Sequence, residues 1–164
     1  MSRLLKRLIL CWVFICCASY PETTVCFTPN KQCQQHIISE IMNAKESIRV
    51  QAYGFTDKLI AHALVNMYTR GVDVAVILDK SNRTSVKSVR SILIDSNIPL
   101  RFDLDHGIAH NKIMIIDESR VITGSYNFSE NAYKVNRENV LIIEDKELSK
   151  KYLDNWNDRW ERSE

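Results

Sequence analysis

A histidine and a lysine two residues apart, His110 and Lys112, are the pair in this sequence best suited to chemistry on an anion. They lie in Ala109-His110-Asn111-Lys112-Ile113-Met114-Ile115-Ile116-Asp117, where the apolar run after Lys112 reads as a strand. Residues two apart on a strand project to the same side of the sheet, so both side chains share the point where it opens into the preceding loop. An ammonium attracts and holds a group such as phosphate, and a neutral imidazole beside it can attack that group or move a proton. Gly124-Ser125-Tyr126-Asn127 follows one strand later and offers donors for the remaining phosphate oxygens.

Elements able to position these residues alternate from Val25 onward. Ile37, Ile38, Ile41 and Met42 repeat at helical spacing, which predicts a helix over 31–44. Residues 47–53 alternate like a strand, and 57–70 carry an apolar helical face that stops at Gly71. Residues 72–78 are apolar except for Asp73, as expected of a strand buried on both faces. A helix is expected over 85–96, with Val86, Val89, Ile92 and Leu93 on its apolar side. Short strands follow at 100–102, 112–116, 120–123 and 138–143, with Asp117-Glu118-Ser119 as a hairpin turn. A last helix over 146–161 carries Leu153, Trp156 and Trp160 on one face, where tryptophan reads as packing. The pattern predicts an α/β fold with a mixed central sheet sandwiched by helices.

Size and composition set outer bounds. The chain has 164 residues, enough for one well-packed domain and too few for two. Arg3, Lys6 and Arg7 precede an uncharged apolar run and then the small Ala18 and Ser19, the layout of a signal peptide over 1–20. The expected product is one catalytic domain over 21–164, exported to a periplasm or secreted, with an uncleaved membrane anchor as the alternative. Removing 1–20, which holds three cations and no acid, takes the net charge from +2 to −1. A blanket electrostatic grip on nucleic acid is thereby excluded, and any such binding must use a local patch. Outside that segment only Cys26 and Cys33 remain, which reads as a local disulfide in an oxidising compartment or as two unrelated buried thiols. Two cysteines and His36 do not make a four-ligand zinc pattern.

His-x-Lys, four residues, Asp117, six residues and Gly-Ser-x-Asn together match the signature of the phospholipase D superfamily. Six fixed positions at ordinary residue frequencies recur by chance in a chain of this length on the order of once in a million. The stretches VCFTPNKQC, SIRVQAYGFT, RGVDVAVILDKSNRTS, IPLRFD and YLDNWNDRW further resemble the small exported bacterial endonucleases of that superfamily. The resemblance implies a phospholipase D-like fold and a two-step displacement in which His110 becomes phosphorylated, with no metal or other cofactor. It implies that Lys112 and Asn127 bind phosphate oxygens, that Ser125 assists, and that Glu138 orients the imidazole through its other nitrogen. Asp117 belongs to the signature, with a structural or electrostatic role. Gly54 stands where some relatives have Ser, and is expected to touch no residue with a chemical role.

The resemblance also implies a second histidine to protonate the leaving oxygen, yet the signature occurs once. His36, His62 and His106 lack its context, so the expected active species is a homodimer that brings two His110 side chains into one cleft. The first reading of the substrate is DNA or RNA, supported by Lys80, Arg83, Lys87 and Arg90 at and after a strand end, although these also read as a solvated helix face. The alternative is a phospholipid headgroup, against which stands the lack of an apolar lid or interfacial helix after residue 20. A non-catalytic nucleic-acid-binding module would be favoured by loss of His110, Lys112 or Asn127, and all three are present.

Overall fold

The computed structural model describes residues 22–164, so the segment read as a signal peptide lies outside the described residues. Strands β1 (Glu22–Phe27), β2 (Ser47–Ala52), β3 (Asp73–Asp79) and β4 (Leu100–Asp103) come from the first part of the chain. Strands β5 (Lys112–Ile116), β6 (Arg120–Gly124) and β7 (Asn139–Glu144) come from the second. They form one sheet in the order β1-β7-β6-β5-β2-β3-β4. The strands β2, β3 and β4 are parallel, and every other pairing is antiparallel, so the sheet is mixed as its hairpin demands.

Helices α1 (Lys31–Asn43) and α2 (Lys58–Thr69) cover one face, and α5 (Lys146–Arg162) covers the other. Ile37, Ile41, Ile48, Val50, Leu64 and Met114 pack on the α1–α2 side, whereas Ile77, Ile113, Ile115 and Val121 pack under Trp156 of α5. Burial on both faces is why 74–78 of β3 and 113–116 of β5 read as unbroken apolar runs. Trp156 donates its indole N–H to the Val50 carbonyl at 2.9 Å and stacks on Trp160, so both tryptophans serve packing. Side chains of Asn30, Asp57 and Asp145 accept backbone N–H groups in the first turns of α1, α2 and α5. Gly71 ends the α2 segment at φ +93°, a conformation that favours glycine. A Cys26–Cys33 disulfide, with Cα atoms 5.6 Å apart, ties the end of β1 to the first turn of α1. Among the described residues no helix is long and apolar enough to cross a membrane.

The helix expected over 85–96 is shorter. A 3₁₀ turn occupies Lys80–Arg83 and helix α3 only Arg90–Asp95. Ser88 donates its hydroxyl to Asn82 Oδ1 and accepts from the Arg90 N–H, local bonding that competes with a helical first turn. Val86 is accordingly 96% exposed, not part of an apolar helix side. A further helix, α4 (Glu130–Lys134), is too short to leave a periodic signal.

Candidate active site

Because β5 runs antiparallel to β2, its first residue, Lys112, lies beside Ala52 at the end of β2. The same sheet end receives the end of β6 and the start of β7, where Gly124 pairs with Val140. His110, Lys112, Gly124, Ser125, Asn127 and Glu138 therefore line one open depression of about 380 Å³. Residues far apart in the chain meet there for topological reasons.

His110 is exposed, whereas Lys112 is only 7% exposed. The lysine Nζ lies 2.9 Å from the His110 carbonyl oxygen, to which it donates, and 3.3 Å from His110 Nδ1. Tyr53 packs its ring against the imidazole, with centroids 4.6 Å apart, and its ring centroid is 5.4 Å from the ammonium. Burial pushes the Lys112 ammonium down from its ordinary value, and the charge of Glu138 partly opposes this.

Gly124 must be glycine: a Cβ there would stand 2.2 Å from the Asn139 carbonyl oxygen, and its φ is +142°. Ser125 accepts the Asn139 N–H at 3.1 Å and donates its hydroxyl to Glu138 at 2.5 Å. Glu138 also accepts from Asn136 at 2.9 Å. Within one chain its carboxylate thus engages Ser125 and Asn136, not the imidazole. Asn127 Oδ1 is buried without a hydrogen-bond partner among the described residues.

Asp117 is not part of this depression. It follows the far end of β5, about 17 Å from Lys112 at strand spacing. Its carboxylate accepts the N–H groups of Lys45, Glu46 and Ser47 at 2.8 to 3.1 Å and so fastens the α1–β2 connection to the hairpin. Burial opposes its ionisation, but these donors and the Arg120 charge outweigh that and hold the carboxyl below its ordinary value. The same bonds stabilise Asp117 at φ +50°, in the left-handed region. Gly54 is also placed differently from expectation: a Cβ there would come within 3.3 Å of Asn127 Oδ1, so it does touch a residue of the depression. His36, His62 and His106 are exposed and line none of it.

Two residues of the site carried no mark in the motif. Tyr53, the imidazole's neighbour, ends the segment that reads as a strand. Asp79, at the end of β3, is 1% exposed, and its carboxylate accepts the Ser81 N–H at 2.9 Å and the Ala109 N–H at 2.8 Å. It fastens the residue immediately before His110. A carboxylate directly after the apolar run 74–78 is the signal that could have drawn attention to it. The basic cluster divides: Lys80 donates to the Asp105 carbonyl and Arg83 lies over the Phe102 ring, while Lys87 lines a separate cavity. No group of three or more His, Cys, Asp or Glu suited to a metal occurs among the described residues.

Residues 37–160 match the family model described as cardiolipin synthase, PLD-like domain. The chain belongs to the phospholipase D-like family. A phospholipase D of Rickettsia conorii is 48% identical over 141 residues, covering 86% of this chain and 70% of that protein. The crystal structure of Nuc, a phospholipase D family member from Salmonella typhimurium, superposes with a TM-score of 0.84 at 36% identity, covering 88% of this chain and 97% of that one. NucT from Helicobacter pylori follows at 0.80 and 28% identity, covering 88% and 98%. The fold expected from the sequence is thus that of phospholipase D-like proteins, and the chain is a phosphodiesterase of that superfamily.

Proposed function

We propose that this phospholipase D-like protein is an exported endonuclease that hydrolyses DNA or RNA without a metal, through a phosphohistidine on His110. The observation that carries the reading is the pairing of an exposed imidazole with a buried lysine at the floor of an open, shallow depression. An open site accepts an internal phosphodiester of a long polymer, and the segments VCFTPNKQC to YLDNWNDRW resemble the small bacterial endonucleases of the superfamily.

In the first step a ring nitrogen of His110 attacks phosphorus, and the bond to the leaving oxygen breaks as a second histidine gives that oxygen a proton. In the second step water attacks the phosphohistidine, the same second histidine takes its proton, and His110 is released. Lys112, Ser125 and Asn127 hold the non-bridging oxygens, where charge builds up. A neutral His110 that accepts from Lys112 through Nδ1 carries its proton on Nε2. An arriving phosphate competes for the ammonium and frees the imidazole to change tautomer. Each chain offers one His110, so the working unit is a homodimer that shares the cleft.

A second reading, hydrolysis of a phospholipid headgroup, is favoured by two exposed apolar side chains near the depression. Ile108, two residues before His110, is 61% exposed and Val135, three before Glu138, is 66% exposed. The deciding experiment offers single- and double-stranded DNA, RNA and phosphatidylcholine vesicles in parallel to purified protein with EDTA present. Cleavage of nucleic acid with intact lipid is the expected result. Headgroup release without nucleic-acid cleavage would replace the first reading by the second.

A further inference from the structure

A cavity outside the catalytic depression has a volume of about 690 Å³, within the range of ligand sites. Its lining includes Thr56, Lys58, Val86, Lys87, Ser91 and Ser129. It adjoins the depression along two chain segments. Asn127 of the depression precedes Ser129 of the cavity by two residues, and Gly54, which abuts Asn127, precedes Thr56 by two. These segments are bonded together: the N–H groups of Thr56 and Asp57 both donate to the Phe128 carbonyl at 2.9 Å. Beneath them the buried rings of Phe55 and Phe128 meet edge to face, 5.6 Å apart. One stiff strip therefore supports both places.

The lining suits an anion that carries an apolar surface. Neither Lys58 nor Lys87 forms an ion pair with another described residue. The one carboxylate in the lining, Glu130, is held by Lys134 at 2.6 Å. Val86 is almost wholly exposed at the cavity, an apolar side chain that the core does not claim. Charged donors beside an unclaimed apolar surface are what a single nucleic-acid strand asks for, with phosphates on lysines and unstacked bases against side chains.

We propose that this cavity is a second subsite, which holds the nucleotide flanking the scissile phosphate of a single strand when the protein acts as a nuclease. Lys58 and Lys87 take its phosphate, and Val86 meets its base. The site would favour substrates with at least one further nucleotide beyond the cleaved bond, and single strands over duplexes.

The test uses the full chain carrying His110→Asn, so that substrate is bound and not cut, with and without Lys58→Ala and Lys87→Ala. Binding of a labelled single-stranded oligonucleotide is measured across salt concentrations. The expected result is a roughly tenfold rise in Kd, with the slope of log Kd against log salt lowered by about 0.7, the loss of one phosphate contact on a single strand. Lys58→Arg with Lys87→Arg should restore both. A Kd and slope matching those of the His110→Asn protein would overturn the subsite. Where wild-type protein cleaves vesicles and no nucleic acid, the nuclease reading fails first and this assignment with it. Loss of vesicle cleavage in protein that keeps His110 and carries Lys58→Ala with Lys87→Ala would then reassign the cavity to a lipid.

Discussion

Replacing Asp79 by Asn asks whether a buried carboxylate sets the position of His110. Its two oxygens accept one backbone N–H each, from Ser81 at 2.9 Å and from Ala109 at 2.8 Å. Asparagine keeps one acceptor and turns an NH₂ group toward the N–H that loses its partner. One charge-assisted hydrogen bond, about 1.5–3 kcal/mol, disappears and two donors face each other. At about 2–4 °C per kcal/mol for a domain near this size, Tm falls by roughly 3–12 °C. Relief comes by movement of the segment that ends in Ala109 and His110, and a displacement of about 1 Å at a reacting group costs up to about 100-fold. We expect kcat to fall by roughly 10- to 100-fold, with KM within about threefold because Lys112, Ser125 and Asn127 stay in place. The assay is steady-state cleavage of bis(p-nitrophenyl) phosphate well below the variant's Tm.

A pH series adds an independent check on the same residue. Burial opposes ionisation of Asp79, but the Ser81 and Ala109 donors and the Lys80 charge outweigh it, so its carboxyl lies below the ordinary value. A depressed folded pKa contributes stability above the unfolded value, about 3.9, that is lost as pH falls through the folded value. The Tm gap between wild type and Asp79→Asn should therefore be full near neutrality and close below about pH 3.9. Wild-type kcat in a variant with lowered Tm would refute the positioning role. A gap that persists unchanged in acid would refute the electrostatic account.

Three further outcomes are expected. His110→Asn should abolish cleavage with little change in Tm, because the side chain is exposed; in equal mixtures with wild type, random pairing leaves roughly a quarter of the dimers fully wild-type, so activity should fall below half. A linear fall with wild-type fraction, in a sample shown to contain mixed dimers, would mean that each chain works alone. Asp117→Ala removes a carboxylate that serves three N–H groups and should destabilise by about 2–4 kcal/mol, while kcat of the folded fraction stays near wild type; a selective loss of kcat would refute the structural role and point to a catalytic one. Secreted protein should begin between Ser19 and Glu22 and carry the Cys26–Cys33 disulfide, readable by intact mass with and without reductant. Breaking that short loop should cost about 2.5 kcal/mol in thermal or denaturant unfolding.

The fold was legible wherever burial writes itself into residue type. The unbroken apolar runs within β3 and β5 and the helical faces of α1, α2 and α5 follow directly from which surfaces meet the core. The residues of the depression were legible because phosphate chemistry needs particular side chains at fixed spacings. Asp79 was not, because its partner is a backbone N–H 30 residues away and a backbone bond leaves no trace in the partner's identity. Asp117 shows the converse: it belongs to the spacing pattern, yet a pattern records neighbours along the chain, not which end of the strand each residue occupies. The short α3 was hidden by Ser88 and Asn82, whose side chains bond locally where periodicity alone suggested a longer helix.

The two margins of the sheet differ in what they offer to other strands. At β4, Phe102 exchanges both backbone hydrogen bonds with Glu164, at 2.6 and 3.1 Å, so that margin is already occupied over part of its length. At the opposite margin β1 bonds only to β7 among the described strands, and it carries the exposed Val25 and Phe27. A molecule with one sticky margin can join a second copy back to back and then has nothing left to extend. A molecule with two could polymerise into fibres. The pairing of Phe102 with Glu164 thus withholds part of the β4 margin from strand addition, which leaves β1 as the more open margin among the described strands.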